Sequence, residues 1–131
     1  MVLSTVFENK VHSRMMSVVL IDNKFYFQTD KNFLKRCDIE SNNYVSLCTE
    51  NFSVEGVCTC VGKPTDDKQF CEIFKRAFPK SFELYSFSKN EVLYEIKPQY
   101  IKRWIYENDK PYIEFVDIVN DSYEKKKYEI K

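Results

Sequence analysis

FYFQTDKNFLKR, residues Phe25–Arg36, begins as an alternating aromatic strand and ends as a helix, and its charges run against the helix dipole. Asp30 or Asn32 is the expected N-cap, with Phe33 and Leu34 the first apolar residues inside. Lys31, Lys35 and Arg36 then crowd the positive end, while Asp38 and Glu40 lie toward the negative end. Each such placement costs roughly 0.3–1 kcal/mol when exposed. Two readings follow. Either an anion belongs at this helix start, or exposed cations simply tolerate a small penalty.

Working outward, Val2–Phe7 reads as a strand, with a turn at Glu8-Asn9-Lys10. Val11–Ile21 reads as a second, long strand, and Asp22-Asn23 as the tight hairpin turn leading to a third, Lys24–Thr29. The helix of the opening stretch is expected over Asn32–Ile39. Tyr44–Thr49 and Phe52–Gly62 are strands joined at Glu50-Asn51. A second helix opens at Pro64-Thr65-Asp66-Asp67, capped by Thr65, with an apolar stripe of Phe70, Ile73 and Phe74 ending near Phe78-Pro79. Residues 80–88 suit a helical turn. Three more strands are expected at Glu91–Ile96, Tyr100–Tyr106 and Tyr112–Val116, then a charged tail from Asn120 with a last short strand at Lys127–Ile130. Seven or eight strands and two or three short helices predict a mainly β fold, a β-barrel with helices attached, since closure removes exposed edges. No repeat or linker divides residues 1–131, so one domain is expected.

Lys plus Arg and Asp plus Glu both number 20, which argues against a general nucleic-acid or anionic-membrane binder. A local basic site survives that argument. Eleven Phe and nine Tyr suit a β core or an aromatic-lined pocket. Five cysteines, an odd number with no secretory signal before them, point to free thiols in a reducing cytoplasm. Cys58 and Cys60 share one face of a strand. A metal site would want a second pair and more histidine than His12, so none is expected. No run approaches membrane length.

Few residues carry chemistry. Arg14, in VHSRMMSVVLI, shares its strand face with His12, Met16, Val18 and Leu20; it is either a strand-end arginine reaching solvent or a ligand for phosphate or carboxylate. Gly56 marks a bulge or a close approach. Trp104 by itself reads as core or interface filler. No nucleophile triad, P-loop or G-x-G-x-x-G is present, so any chemistry is expected from a bound cofactor.

Five segments, in order, resemble the pyridoxamine 5′-phosphate oxidase-like proteins. They are RMMSVV (Arg14–Val19, like the family's R-M-V-L-L), FYFQTDKNFLK with Thr29 and Lys35 six residues apart, NYVSLC (Asn43–Cys48), VEGVCTCVGKP (Val54–Pro64) and KPQYIKRW (Lys97–Trp104, like P-x-x-I-x-x-W). The resemblance implies a split β-barrel binding FMN across a homodimer interface. It implies that Arg14 and Lys35, with Thr29, hold the phosphate. Backbone from Met15, Met16, Ser17, Val18 and Gln28 would bond the flavin ring, and Trp104 would reach a flavin anchored on the other subunit. Cations and helix dipole would then act on one dianion, which answers the question of the opening stretch.

The departures are equally informative. The family's Ser and Arg before the lysine are Phe33 and Leu34 here, and a flavin-contacting Gln falls at Val57. The oxidase's R-L-H-D-R signature after the Trp is replaced by IYENDKPYIE, Ile105–Glu114, without Arg or His. The expectation is an FMN-dependent oxidoreductase of unknown substrate, cytoplasmic, and not a true pyridoxamine phosphate oxidase. The alternatives are a non-catalytic flavin or haem binder or sensor, and an oligonucleotide-binding small barrel.

Overall fold

The computed structural model describes residues 1–130. Nine strands form one antiparallel sheet: β1 (Val2–Phe7), β2 (Lys10–Met15), β3 (Val19–Ile21), β4 (Lys24–Asp30), β5 (Tyr44–Thr49), β6 (Phe52–Gly62), β7 (Glu91–Glu107), β8 (Lys110–Asp117) and β9 (Ser122–Lys127). Three helices accompany them: α1 (Leu34–Ser41), α2 (Lys68–Ala77) and α3 (Pro79–Tyr85). The strand order is β2-β1-β5-β6-β7-β4-β3, with β8 added to β7 and β9 to β8. No described helix is long and apolar enough to cross a membrane.

The barrel splits because β7 serves two partnerships. Its first half runs between β4 and the end of β6, and its second half between the start of β6 and β8. Sequence patterning divided this strand at Lys97-Pro98-Gln99; the chain instead passes through as one strand with a register shift. Glu55 faces Tyr100 while Gly56 faces Pro98, so Gln99 is the extra residue. The bend needs Gly56. A Cβ there would lie 2.5 Å from the Lys97 carbonyl oxygen and 2.9 Å from Ile96 Cγ2. The β3–β4 and β7–β8 hairpins each turn through two residues of positive φ, Asp22-Asn23 (50° and 64°) and Asn108-Asp109 (51° and 63°). Such turns match the right-handed twist of the flanking strands.

Two apolar clusters form. Inside the barrel, Leu3, Phe25, Phe27, Leu47, Val54, Tyr94 and Ile96 pack together, with Phe27 and Tyr94 stacked at 5.3 Å. On the outer face of β3, β4 and β7, Phe70 and Phe74 of α2 cover Val19, Ile21 and Leu93. The expected second strand, 11–21, is therefore interrupted. Residues 16–18 leave the ladder, Met16 and Val18 packing on the barrel core while Val19 and Ile21 serve the helix-covered face.

The caps also differ from expectation. α1 starts after Phe33 with no side-chain cap; Asp30 instead accepts from the Asn32 amide in a two-residue loop at 2.8 Å. α2 is capped by Asp67, which accepts from the Phe70 amide at 2.9 Å, because Pro64–Asp66 is a separate 3₁₀ turn. Residues 79–85 are a full helix, and the last strand is β9, lying earlier than 127–130 and exposed throughout. All five cysteines are free thiols.

Replacing Gly56 by Ala should destabilise the fold by about 1–3 kcal/mol, the usual range for overpacking, because the obstructing atoms are mostly backbone. Urea denaturation of the variant measures it.

Candidate functional site

The helix at the opening stretch distributes its charges three ways. Arg36 pairs with Glu40 one turn on, at 2.8 Å. Lys31 stays exposed in the preceding turn. Lys35 turns inward: it is 7% exposed, its Nζ donates to Thr29 Oγ1 at 2.8 Å, and it lies 4.5 Å from the centre of the Phe33 ring. Among the described residues no carboxylate comes within salt-bridge distance of it. Burial lowers the Lys35 pKa, and the neighbouring Arg14 charge lowers it further, against Glu91 and Asp30. A buried ammonium beside a guanidinium, with only a hydroxyl for partner, is a site with capacity for an anion.

Arg14 reaches this place from β2 because Asp38, one turn after Lys35, holds it there. Asp38 is fully buried. Its Oδ2 accepts from Thr5 Oγ1 at 2.7 Å and meets His12 Nδ1 at 2.8 Å, while Arg14 stands at 3.7 Å. Arg14 also donates to Thr5 Oγ1 at 2.9 Å and to the Leu3 carbonyl at 3.3 Å. Burial alone would raise the Asp38 carboxyl, but the His12 and Thr5 hydrogen bonds and the charges of His12 and Arg14 outweigh it and hold it below the ordinary range. Its other oxygen, Oδ1, is buried without a hydrogen-bond partner among the described residues. The shared strand face of His12 and Arg14 was legible in the sequence. Thr5 and Asp38, which bind that face to α1, were not; the only signal was an acidic residue misplaced against the helix dipole.

The other residues expected at the site divide. Met15 is exposed, and Ser17 and Val18 lie in the ladder break, where only Met16 is tied, exchanging backbone hydrogen bonds with Met1 at 2.8 and 3.0 Å. Gln28 points to the opposite face of β4 and accepts from Ser86 Oγ at 2.7 Å, so its side chain is occupied by the end of α3. Phe33 and Leu34, standing where the family has Ser and Arg, are 57% and 61% exposed and form an apolar lip.

Trp104 is far away. Arg14, Leu3, Leu47, Val54 and Ile101 form one row across five strands. That is four strand spacings, about 19 Å along the sheet, and Trp104 lies three residues further on. There it packs against Tyr106 and Tyr128 and lines a groove of about 340 Å³ with Asn51, Phe52 and Ile113. Asn51 is locked to it: the Trp104 amide donates to the Asn51 carbonyl at 2.8 Å, and Asn51 Nδ2 donates to the Trp104 carbonyl at 3.1 Å.

Glu91, opposite Asp30 on β7, is a further charged residue at the anion site that sequence reasoning passed over. Burial, then Asp30, pushes its pKa up from 4.5 to about 7, against Lys35. A carboxyl raised in the folded state favours folding only while protonated. The contribution is complete below pH 4.5 and gone above about 7. Relative to Glu91→Gln, the wild-type chain should lose stability across that window and run parallel to the variant above it. Urea midpoints at a series of pH values test this.

No family model and no curated protein matches the chain, but solved structures do. General Stress Protein 26 from Bacillus anthracis is 31% identical, over 76% of this chain and 79% of that one, with a TM-score of 0.60. A pyridoxamine 5′-phosphate oxidase-related, FMN-binding protein from Nostoc punctiforme matches 98% of this chain and 86% of its own at 15% identity, TM-score 0.64. HutZ, a heme storage protein from Vibrio cholerae, matches 74% of this chain and 79% of its own at 14% identity, TM-score 0.60. The split sheet, the helix start facing Arg14 and Lys35, and these likenesses agree: the chain belongs to the pyridoxamine 5′-phosphate oxidase-like family of split β-barrels.

Proposed function

We propose that this chain is an FMN-binding flavoprotein that acts as an oxidoreductase on a substrate not yet identified. The observation carrying the proposal is Lys35, a buried cation with no carboxylate in salt-bridge distance among the described residues, beside Arg14 at the start of a helix. A terminal phosphate would accept from Lys35, Arg14 and Thr29. Two features shape the grip. Asp38 shares Arg14 with the ligand, and Phe33 and Leu34 replace polar neighbours, so phosphate binding rests mainly on Lys35. The open backbone of residues 16–18 would bond the flavin ring. Bound FMN supplies the redox chemistry; the chain holds and orients it and shields it from water.

The site is proposed to need two chains. Arg14 on β2 and Trp104 on the second half of β7 have three strands between them in the sheet order, which favours Trp104 from a second subunit. Met15, Leu20, Phe33 and Leu34 are large apolar side chains left exposed around the ladder break and helix start, a surface suited to burial in a twofold interface. A second reading, haem binding, is favoured by one observation: His12, the only histidine, is held by Asp38 through Nδ1 and leaves Nε2 free as an axial ligand.

Titration should show FMN binding more tightly than riboflavin, and Lys35→Ala should cost about 1–3 kcal/mol in FMN affinity, the scale of a charge-assisted hydrogen bond. Equal affinities for FMN and riboflavin would remove the phosphate role. A protein purified with haem, losing its absorbance band in His12→Ala, would favour the second reading.

The FMN-loaded protein should not convert pyridoxine or pyridoxamine phosphate to pyridoxal phosphate, because Ile105–Glu114 offers no Arg or His to grip that substrate. Product assay by chromatography decides it.

Mixing Lys35→Ala chains with Trp104→Ala chains should yield heterodimers in which one flavin site is wild type and the other carries both defects. If both residues served a site from one chain, every site would carry a single defect. FMN titration of the isolated heterodimer separates the two patterns, and light scattering showing a monomer that binds FMN tightly would end the proposal.

A further inference from the structure

Glu91 brings a buried carboxyl to the anion site without a paired cation. It opens β7, is 6% exposed, and has no cation within salt-bridge distance among the described residues. The backbone sets its place. Asp30 and Glu91 are the last pair of the β4–β7 ladder, directly after Thr29 and Val92, and Thr29 is the residue that holds Lys35 Nζ. The Lys31 amide donates to the Asn90 carbonyl at 2.8 Å, and the Glu91 amide donates to the Ser88 carbonyl at 3.1 Å. The turn leading into α1 is thus fastened to the start of β7. Directly paired residues carry their Cβ atoms about 5 Å apart, so Asp30 opposes Glu91 at close range.

Three elements bring charge to this carboxyl: Asp30 from β4, Lys35 from α1 and, beyond Lys35, Arg14 from β2. Lys31 and Lys89 are exposed in the flanking turns. Burial, then Asp30, disfavours the carboxylate while Lys35 favours it, and the balance leaves the group at about 7. The influence is mutual, since an ionised Glu91 favours the Lys35 ammonium. An ionised Glu91 therefore answers part of the Lys35 charge and repels a second anion nearby. A neutral Glu91 does neither.

We propose that Glu91 makes the phosphate site proton-linked: the phosphate enters together with a proton taken up by Glu91, and the grip loosens as pH rises. This rests on the proposed role of Lys35 as phosphate anchor. The proton comes from solvent and stays on the carboxyl while the anion is bound. A bound phosphate raises the Glu91 pKa above its ligand-free value. The favourable contribution is therefore complete below about 7 and is lost as pH climbs through the higher, ligand-bound value. By reciprocity, the factor that protonation adds to phosphate affinity is the factor that phosphate adds to proton affinity.

The test is FMN titration of the full-length protein, read by quenching of flavin fluorescence, at pH values bracketing the Glu91 midpoint of about 7. Comparison with Glu91→Gln cancels the ionisation of the FMN phosphate itself. Across this window the wild type should lose about three- to fivefold more affinity than Glu91→Gln, the low end of coupling between sites. Riboflavin, lacking the phosphate, should show no such difference. Asp30→Asn keeps an acceptor for the Asn32 amide but removes the opposing charge, and should move the wild-type decline to lower pH. Calorimetry in two buffers of different ionisation enthalpy, just above neutral pH, should record proton uptake when the wild type binds FMN, and none in Glu91→Gln. Parallel pH profiles for wild type and Glu91→Gln, or equal proton uptake by both, would overturn the linkage while leaving a preference for FMN over riboflavin intact. Equal binding of FMN and riboflavin would overturn the phosphate reading and the linkage with it. If Glu91→Gln fails to fold, proton uptake by the wild-type chain with FMN against riboflavin decides.

Discussion

The buried carboxylate of Asp38 ties α1 to the first hairpin of this barrel. It sits on α1 yet bonds only to β1 and β2, through Thr5 and His12, with Arg14 alongside. One residue thereby fixes the helix against the first hairpin and sets Arg14 beside Lys35. An isolated carboxylate in such a place would be expensive to ionise; two hydrogen bonds and a guanidinium reverse the balance. The same contact explains why the helix tolerates charges placed against its dipole. Asp38 serves tertiary neighbours worth more than the dipole term, and Lys35 one turn earlier points into the cradle that Asp38 organises.

The barrel supplies the other constraint. β7 belongs to both halves of the sheet, and its bulge at Gln99 against Gly56 bends one half away from the other. This bend carries β8 and β9 out from the barrel and takes Trp104 with them. The distance between Trp104 and Arg14 is thus a consequence of strand order, and the proposed two-chain flavin site follows from that geometry together with the exposed apolar residues near the helix start.

Local patterning determined much of this protein. Alternation and turn residues marked β1, β5 and β6 at their observed limits, and Asp22-Asn23 as a hairpin, because these depend on neighbours two to four residues apart. The Thr29 and Lys35 spacing likewise survives as a hydrogen bond, since one short turn joins them. What the sequence left undecided required distant partners. The break at residues 16–18 exists because Val18 and Val19 serve two different cores. The continuity of β7 depends on β4, β6 and β8 pairing along it in turn. Asp38 meets Thr5 across 33 residues and Gln28 meets Ser86 across 58, so neither partner leaves a periodic trace. The strands were written locally; which charges are buried and which are paired was decided only when α1 packed against the first hairpin, because desolvation and pairing depend on every element packed against a group.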